Sequence, residues 1–174
     1  MPINKKWKVG LVSGFTILAI ALLLVPYKAT TYNPDFEPND LSQKSMDENQ
    51  RTYLDYNLPW RSYNQQFGIY VNASEGKFTV EILNSNNFWK KEFDQDYEAL
   101  FKISNITFFE NSVIIDPPQE GLIFITITAE AYTVISYNTM LTYYSYYSNY
   151  GFFFLAISLL LTSFYVYQKV KGAF

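Results

Sequence analysis

Two stretches of the chain are apolar without a break, and the pattern between them changes twice. Val9 to Tyr27 reads VGLVSGFTILAIALLLVPY, 19 residues with no charge, and Tyr150 to Gln168 reads YGFFFLAISLLLTSFYVYQ, again 19 and uncharged. Each approaches the ~20 apolar residues that carry a helix across a bilayer, so the pattern predicts transmembrane helices at 9–27 and 149–168. Residues 28–64 are polar and irregular, with Pro34, Pro38 and Pro59 interrupting them. They predict an extended extracytoplasmic arm that ends in the buriable Tyr53, Tyr56, Leu58 and Trp60.

From Phe67 onward the apolar positions alternate, as strands with one buried face do. Phe67, Ile69 and Val71 share one face, and Phe78, Val80 and Ile82 share another. Strands are also predicted around Ile103–Phe108, Val113–Ile115, Leu122–Thr128, Val134–Ile135 and Thr139–Tyr147. Asp116-Pro117-Pro118-Gln119-Glu120-Gly121 forms a strong turn. Short strands at this spacing predict an antiparallel sandwich over 65–148. One stretch departs: Phe93, Tyr97, Leu100 and Phe101 fall at helical spacing, which predicts a short helix within Lys90–Phe101. The fold class is therefore mainly β, an antiparallel β-sandwich ectodomain between two transmembrane α-helices.

Charge sets the orientation. All sixteen Asp and Glu residues lie between Asp35 and Glu130, against seven basic residues from 29 to 148, a formal charge of −9 for that loop. The tails, 1–8 and 169–174, hold Lys5, Lys6, Lys8, Lys169 and Lys171 and no acid. Lysine bias thus places both termini in the cytoplasm and residues 28–148 outside an integral cytoplasmic (plasma) membrane protein. Trp7, Tyr27, Tyr146, Tyr147, Tyr150, Tyr165 and Tyr167 sit where interfacial aromatics anchor helices. A secretory signal peptide is the rival reading of the first span. Tyr27-Lys28-Ala29 has no small residue at the −3 position, which favours an uncleaved anchor.

Composition narrows the chemistry. The chain of 174 residues has no Cys and no His, which excludes disulfides, Cys/His zinc sites, ordinary haem ligation and histidine-based triads. The run Glu92, Asp94, Asp96, Glu98 has the alternating carboxylates of a calcium loop. However, Ala99 stands where the sharp-turn glycine belongs and Asn105 where the bidentate Glu belongs, so a solvated helix face is the reading adopted. No pair among these acids stands out for glycoside hydrolysis. Neither catalytic nor cofactor-binding nor metal-ligating residues are assigned, and no cofactor is expected. The acidic loop repels phosphate, so nucleic acid is not an expected partner.

Three further motifs stand out. Asn72-Ala73-Ser74 and Asn105-Ile106-Thr107 are glycosylation sequons in the segment placed outside. Gly10 and Gly14 form a G-x-x-x-G on the first span, and Ser158 and Thr162 repeat that spacing on the second, so these four are candidates for helix packing. No ionisable group lies inside either span, which argues against an ion or proton path.

The order of features from Ile69 to Tyr144 resembles GOLD-like β-sandwich modules of membrane proteins. Gly68-Ile69-Tyr70-Val71-Asn72-Ala73-Ser74-Glu75-Gly76 resembles that family's opening strand and small acidic Gly turn. Phe78 to Trp89 is similar to its strand, Asn-rich turn and aromatic pair. Pro117-Pro118 with Gly121 is similar to its P-x-x-G hairpin, although Leu122-Ile123-Phe124 replaces the aromatic pair and the following Asp-Asn is absent. The resemblance covers about 76 residues and implies a binding or assembly module, not an enzyme. The chain departs in its N-terminal span and in a C-terminal tail unlike a dilysine coat signal.

These features together predict a non-catalytic accessory or assembly subunit of a larger membrane complex, with other integral membrane subunits and the lipid bilayer as partners. The alternative is a free-standing cell-surface binding module, as a sensor, an adhesin or a GOLD-type sorting receptor. A carboxylate hydrolase using Glu92–Glu98 is the third reading. Frequent Asn, Tyr, Phe, Ile and Lys fit an archaeal or low-GC bacterial source.

Overall fold

A strand of fourteen residues with unbroken alternation, β9 (Thr133–Tyr146), organises the larger of two sheets in the computed structural model. The structure describes residues 5–32 and 41–171. Pro34, Pro38 and the outer ends of both tails lie outside the described residues. Thr133, Ile135, Tyr137, Thr139, Leu141, Tyr143 and Ser145 of β9 point into the core, so a single strand replaces the two predicted there. It pairs antiparallel with β4 (Tyr63–Ala73), which pairs with β7 (Phe108–Ile115); β1 (Pro26–Tyr32) and β2 (Ser42–Met46) both join β9. The second sheet has the order β3 (Arg51–Leu58), β8 (Gly121–Ala129), β5 (Phe78–Asn84), β6 (Phe101–Ile106). Every registered pair in it is antiparallel.

Between the sheets lies one core, built from Leu54, Tyr56, Phe67, Ile69, Val71, Phe78, Val80, Ile82, Ile123, Ile125, Ile127, Ile135 and Leu141 among others. Period-two alternation puts these on facing sides, and burying them drives the sandwich together. Tyr56 ties the sheets directly: its hydroxyl and that of Thr139 are 2.5 Å apart, and its ring meets Phe67 edge-on at 5.5 Å. Burial pushes the Tyr56 phenol up to about 12, with Thr139 opposing and Asp55 assisting. At one end, Gln65 is fully buried. Its amide donates to Ser62 Oγ (2.9 Å) and to the Gln119 carbonyl (2.5 Å) and accepts from the Gln119 N–H (2.9 Å), which pins the Pro-rich turn.

Two expectations are corrected. Residues 28–64 are not an arm outside the sandwich, because they supply β2 and β3 to the two sheets. Thr52, Leu54, Tyr56 and Leu58 alternate cleanly inward, a period that Thr52 and the polar outer residues concealed. The helix is α2 (Ser85–Glu92), earlier than Lys90–Phe101. The Asn84 side chain caps it by accepting the Asn87 N–H at 2.9 Å, and Asp94 stops it in the left-handed region at φ 52°. Gln95 N–H then bonds Lys90 O and Asp94 N–H bonds Lys91 O, a Schellman closure.

The terminal helices α1 (Lys5–Leu24) and α3 (Ser148–Lys171) form a second unit. Both are long and apolar enough to span a membrane. α1 stops just before Pro26, whose ring disfavours helical geometry in the residue ahead of it.

Candidate functional site

The outer face of the five-stranded sheet carries an open trough of about 520 Å³. Antiparallel register sets its rows. Glu110, Tyr70 and Asn138 lie side by side on β7, β4 and β9, and Ser112, Gly68 and Met140 form the next row. Tyr32 and Asn111 complete the lining that matters chemically. Gly68 provides the low point: a Cβ there would come within 2.7 Å of the Met140 side chain, which lies across it. The Tyr70 ring is steadied edge-on by Phe108 at 5.7 Å. Among the described residues, the side chains of Glu110, Ser112, Asn138 and Tyr70 find no hydrogen-bond partner, so their donors and acceptors stay available. Among the described residues the trough combines aromatic faces, amides, a hydroxyl and one carboxylate, with no cation.

On the outer face of the other sheet, Glu81 is buried beneath α2 and the segment that follows it. Its Oε2 accepts from Lys91 Nζ and Thr126 Oγ1, and its Oε1 accepts from Lys102 Nζ and Tyr97 OH, each at 2.9 Å. Burial alone would raise the carboxyl. Hydrogen bonds from Lys91, Lys102 and Tyr97 outweigh it and hold the group down at about 2. Tyr97 is pushed up, by burial first and then by Glu81, and Lys102 is pushed up chiefly by its bond to Glu81. A carboxylate saturated in this way is too weak a base for proton transfer near neutral pH. Its chemistry is cohesive: it fastens α2 to the sheet.

The candidate acids Glu92, Asp94, Asp96 and Glu98 are all exposed, and Glu92 pairs with Arg51 at 3.0 Å. Among the described residues no cluster of three or more acids is placed to hold a metal.

Within the helical unit, Ser158 lies at the contact: its Oγ is 2.6 Å from Thr16 Oγ1 and 3.4 Å from the Val12 carbonyl. Thr162 bonds back to the Ser158 carbonyl at 2.8 Å. Gly10 and Gly14 are elsewhere. Among the described residues nothing lies within 4 Å of a Cβ on either, and they floor an open apolar groove of about 530 Å³ with Trp7, Leu11, Phe15 and Leu18. The close approach falls instead at Gly151, where a Cβ would meet Leu23 Cγ at 2.6 Å and the Ala19 carbonyl at 3.2 Å. The one glycine in the second apolar run was the available signal for it. Tyr27 stacks on Tyr147 at 4.2 Å, and Lys8 sits over the Tyr165 ring at 5.6 Å. Trp7, Tyr150 and Tyr167 are exposed, and Tyr146 is half-buried at the end of β9.

No protein-family model matches the chain, and no curated protein matches it. Among solved structures it is similar to the infectious bursal disease virus VP2 subviral particle, with 13% identity and a TM-score of 0.38 over 73% of this chain and 34% of that one. It is also similar to a family 29 carbohydrate-binding module (10% identity, TM-score 0.38, 67% of this chain and 92% of that one). A third is a family 61 carbohydrate-binding module in complex with β-1,4-galactotriose (10% identity, TM-score 0.36, 68% and 88%). The chain spans about a third of the VP2 chain. Likenesses this distant carry no inference about ligand or partner.

Proposed function

We propose that this protein is a non-catalytic, two-span membrane protein whose β-sandwich lies outside the cytoplasm and whose helices join a larger membrane complex as an accessory subunit. The observation that carries the reading is the uncovered side of α1, where Gly10 and Gly14 open an apolar groove that α3 leaves unfilled. In lipid, small residues at this spacing let another helix approach backbone to backbone. Apolar side chains such as Ile17, Leu24, Phe153 and Leu160 are exposed all round both helices, a pattern that suits a bilayer and not water. The lysine-rich ends and the loop's −9 charge support cytoplasmic termini. The GOLD-like resemblance over Ile69–Tyr144 belongs to this reading and rests on its sequence motifs, although Asn86 to Trp89 fold as part of helix α2 and not as a turn.

Gentle detergent extraction, sizing and mass spectrometry of co-migrating chains test it. A discrete stoichiometric complex that Gly10→Leu with Gly14→Leu disperses is the expected result. A lone monomer or a homo-oligomer overturns it.

The trough favours a second reading, a cell-surface binding module. Aromatic faces beside free amide, hydroxyl and carboxylate groups, with no cation, suit a neutral polyhydroxylated ligand such as a sugar chain. An array of neutral oligosaccharides probed with the full chain in nanodiscs tests this. Binding that Tyr70→Ala or Asn138→Ala abolishes supports it, and no binding sinks it.

A further inference from the structure

The two sequons fold into different surroundings. Asn72 lies on β4 between two paired neighbours, in register with Phe108 on one side and Ser136 on the other. Asn72 and Ser74 are exposed, but the Ser74 oxygen is tethered to the neighbouring strand, accepting the Val134 N–H at 3.2 Å. Asn105 lies on β6, an edge strand that, among the described residues, pairs only with β5. The register there shifts, because Ile106 faces Phe78 and Ile103 faces Val80, so that Ser104 and Asn105 stand opposite the single residue Thr79. This is a bulge, and Asn105, the second of its two residues, stands in the left-handed region at φ 64°. Glu130 holds it there, accepting the Asn105 N–H at 3.1 Å and the Thr79 hydroxyl at 3.3 Å through one oxygen. The Asn105 carboxamide and the Thr107 hydroxyl are both exposed, and neither bonds to another described residue.

We infer that Asn105, and not Asn72, is a glycan acceptor, and that its sugar guards the free edge of the four-stranded sheet. The bulge presents the carboxamide outward from a strand with no neighbour beyond it among the described residues, which gives a bulky group room. The sequon hydroxyl two residues on is free to assist. In the transfer, the carboxamide nitrogen forms a bond to C1 of a sugar carried on a polyprenyl phosphate, supplied with its transferase by the membrane. The C1–O bond breaks, the lipid phosphate leaves with the electron pair, and the amide proton passes to a base of the transferase. An edge strand with unpaired N–H and C=O groups invites pairing with another chain, and a hydrated glycan at its bulge blocks that approach. The inference rests on the placement of residues 28–148 outside the cytoplasm.

The test is intact-mass and peptide mass spectrometry of the full chain purified from its native membrane. The expected result is added glycan mass on the Asn105 peptide, none on the Asn72 peptide, and loss of that mass in Asn105→Gln and Thr107→Ala but not in Thr107→Ser. The unglycosylated protein should self-associate at concentrations where the modified protein stays monodisperse. A bare Asn105, a glycan on Asn72, or unchanged self-association would overturn the inference. A single Cys introduced as Glu75→Cys separates two kinds of failure, since the chain has no native Cys. Labelling of intact cells by an impermeant maleimide, with Asn105 bare, leaves the outside placement standing while the acceptor falls. No labelling from outside removes both.

Discussion

Replacing Glu81 by Gln removes one charge from a site where three donors besides Thr126 converge, and the structure sets the size of the effect. The Lys91 side chain is 8% exposed and packs under α2, so its ammonium has little water to turn to. Lys102 is 53% exposed and loses little. Displacement of the Glu81 carboxyl from its ordinary 4.5 to about 2 corresponds to about 3 kcal/mol, at ~1.36 kcal/mol per pH unit. Breaking one side of a buried pair costs ~3–5 kcal/mol by independent reckoning, so the two routes agree. Glu81→Gln should therefore destabilise the sandwich by about 3 kcal/mol, roughly 10–15 °C in melting temperature for a body of this size.

The sign with pH follows from the depressed value. The stabilisation is present in full above about 4.5 and is lost as pH falls toward about 2. The difference between wild type and Glu81→Gln should be constant near neutrality and shrink across that acid window. Urea unfolding of the full chain in detergent, followed by tryptophan fluorescence with Trp89 on α2 as the near reporter, measures it. The double variant Glu81→Leu with Lys91→Met should recover most of the loss, because a buried pair replaced by apolar groups leaves no stranded charge. A loss below about 1 kcal/mol for Glu81→Gln, or a double variant no more stable than the single one, would refute the reasoning.

Other perturbations reach different parts of the molecule. Tyr56→Phe strands the Thr139 hydroxyl between the sheets and should cost about 1–2 kcal/mol in the same unfolding assay. Because burial raises the Tyr56 phenol, its contribution is complete below pH 10 and is lost as pH rises toward about 12. Spectroscopic titration of tyrosinate should show this late phase in wild type and lose it in Tyr56→Phe. Gln65→Leu leaves the Gln119 N–H and carbonyl without their buried partner; it should cost about 2–3 kcal/mol and open the 116–120 turn to proteolysis. Gly151→Ile drives a side chain into Leu23 and the Ala19 carbonyl, and should abolish oxidation of a Thr16→Cys/Ser158→Cys pair. Gly10→Ile, which meets nothing within 4 Å, should leave that cross-link intact.

Much of the sandwich was legible where both a period and a boundary were present. Phe67, Ile69 and Val71, or Phe78, Val80 and Ile82, announce inward faces because hydrophobic alternation permits only one register. The period in β3 was harder to see, since Thr52 occupies an inward position and Pro34, Pro38 and Pro59 break the surrounding text. In α2 the signal lay in its caps, Asn84 and Asp94, more than in its apolar spacing. The trough was not legible. Tyr70, Asn138 and Glu110 are up to 68 positions apart in the chain, and only strand pairing sets them in one row.

The sequence by itself determined two apolar helices, the lopsided charge, the absence of Cys and His, and the inward faces of most strands. Each of these is a local property of composition or period, and solvent reads it without help from distant residues. Tertiary structure alone decided which small residues carry the helix contact, Gly151 and Ser158 and not Gly10 and Gly14. It decided too that Glu81 would be buried among two lysines and a tyrosine, and that Asn105 would stand on a free edge while Asn72 sits within a paired row. Those outcomes depend on which strands become neighbours and which helix faces meet. That choice belongs to the whole chain burying its apolar surface at once, and no window of sequence contains it.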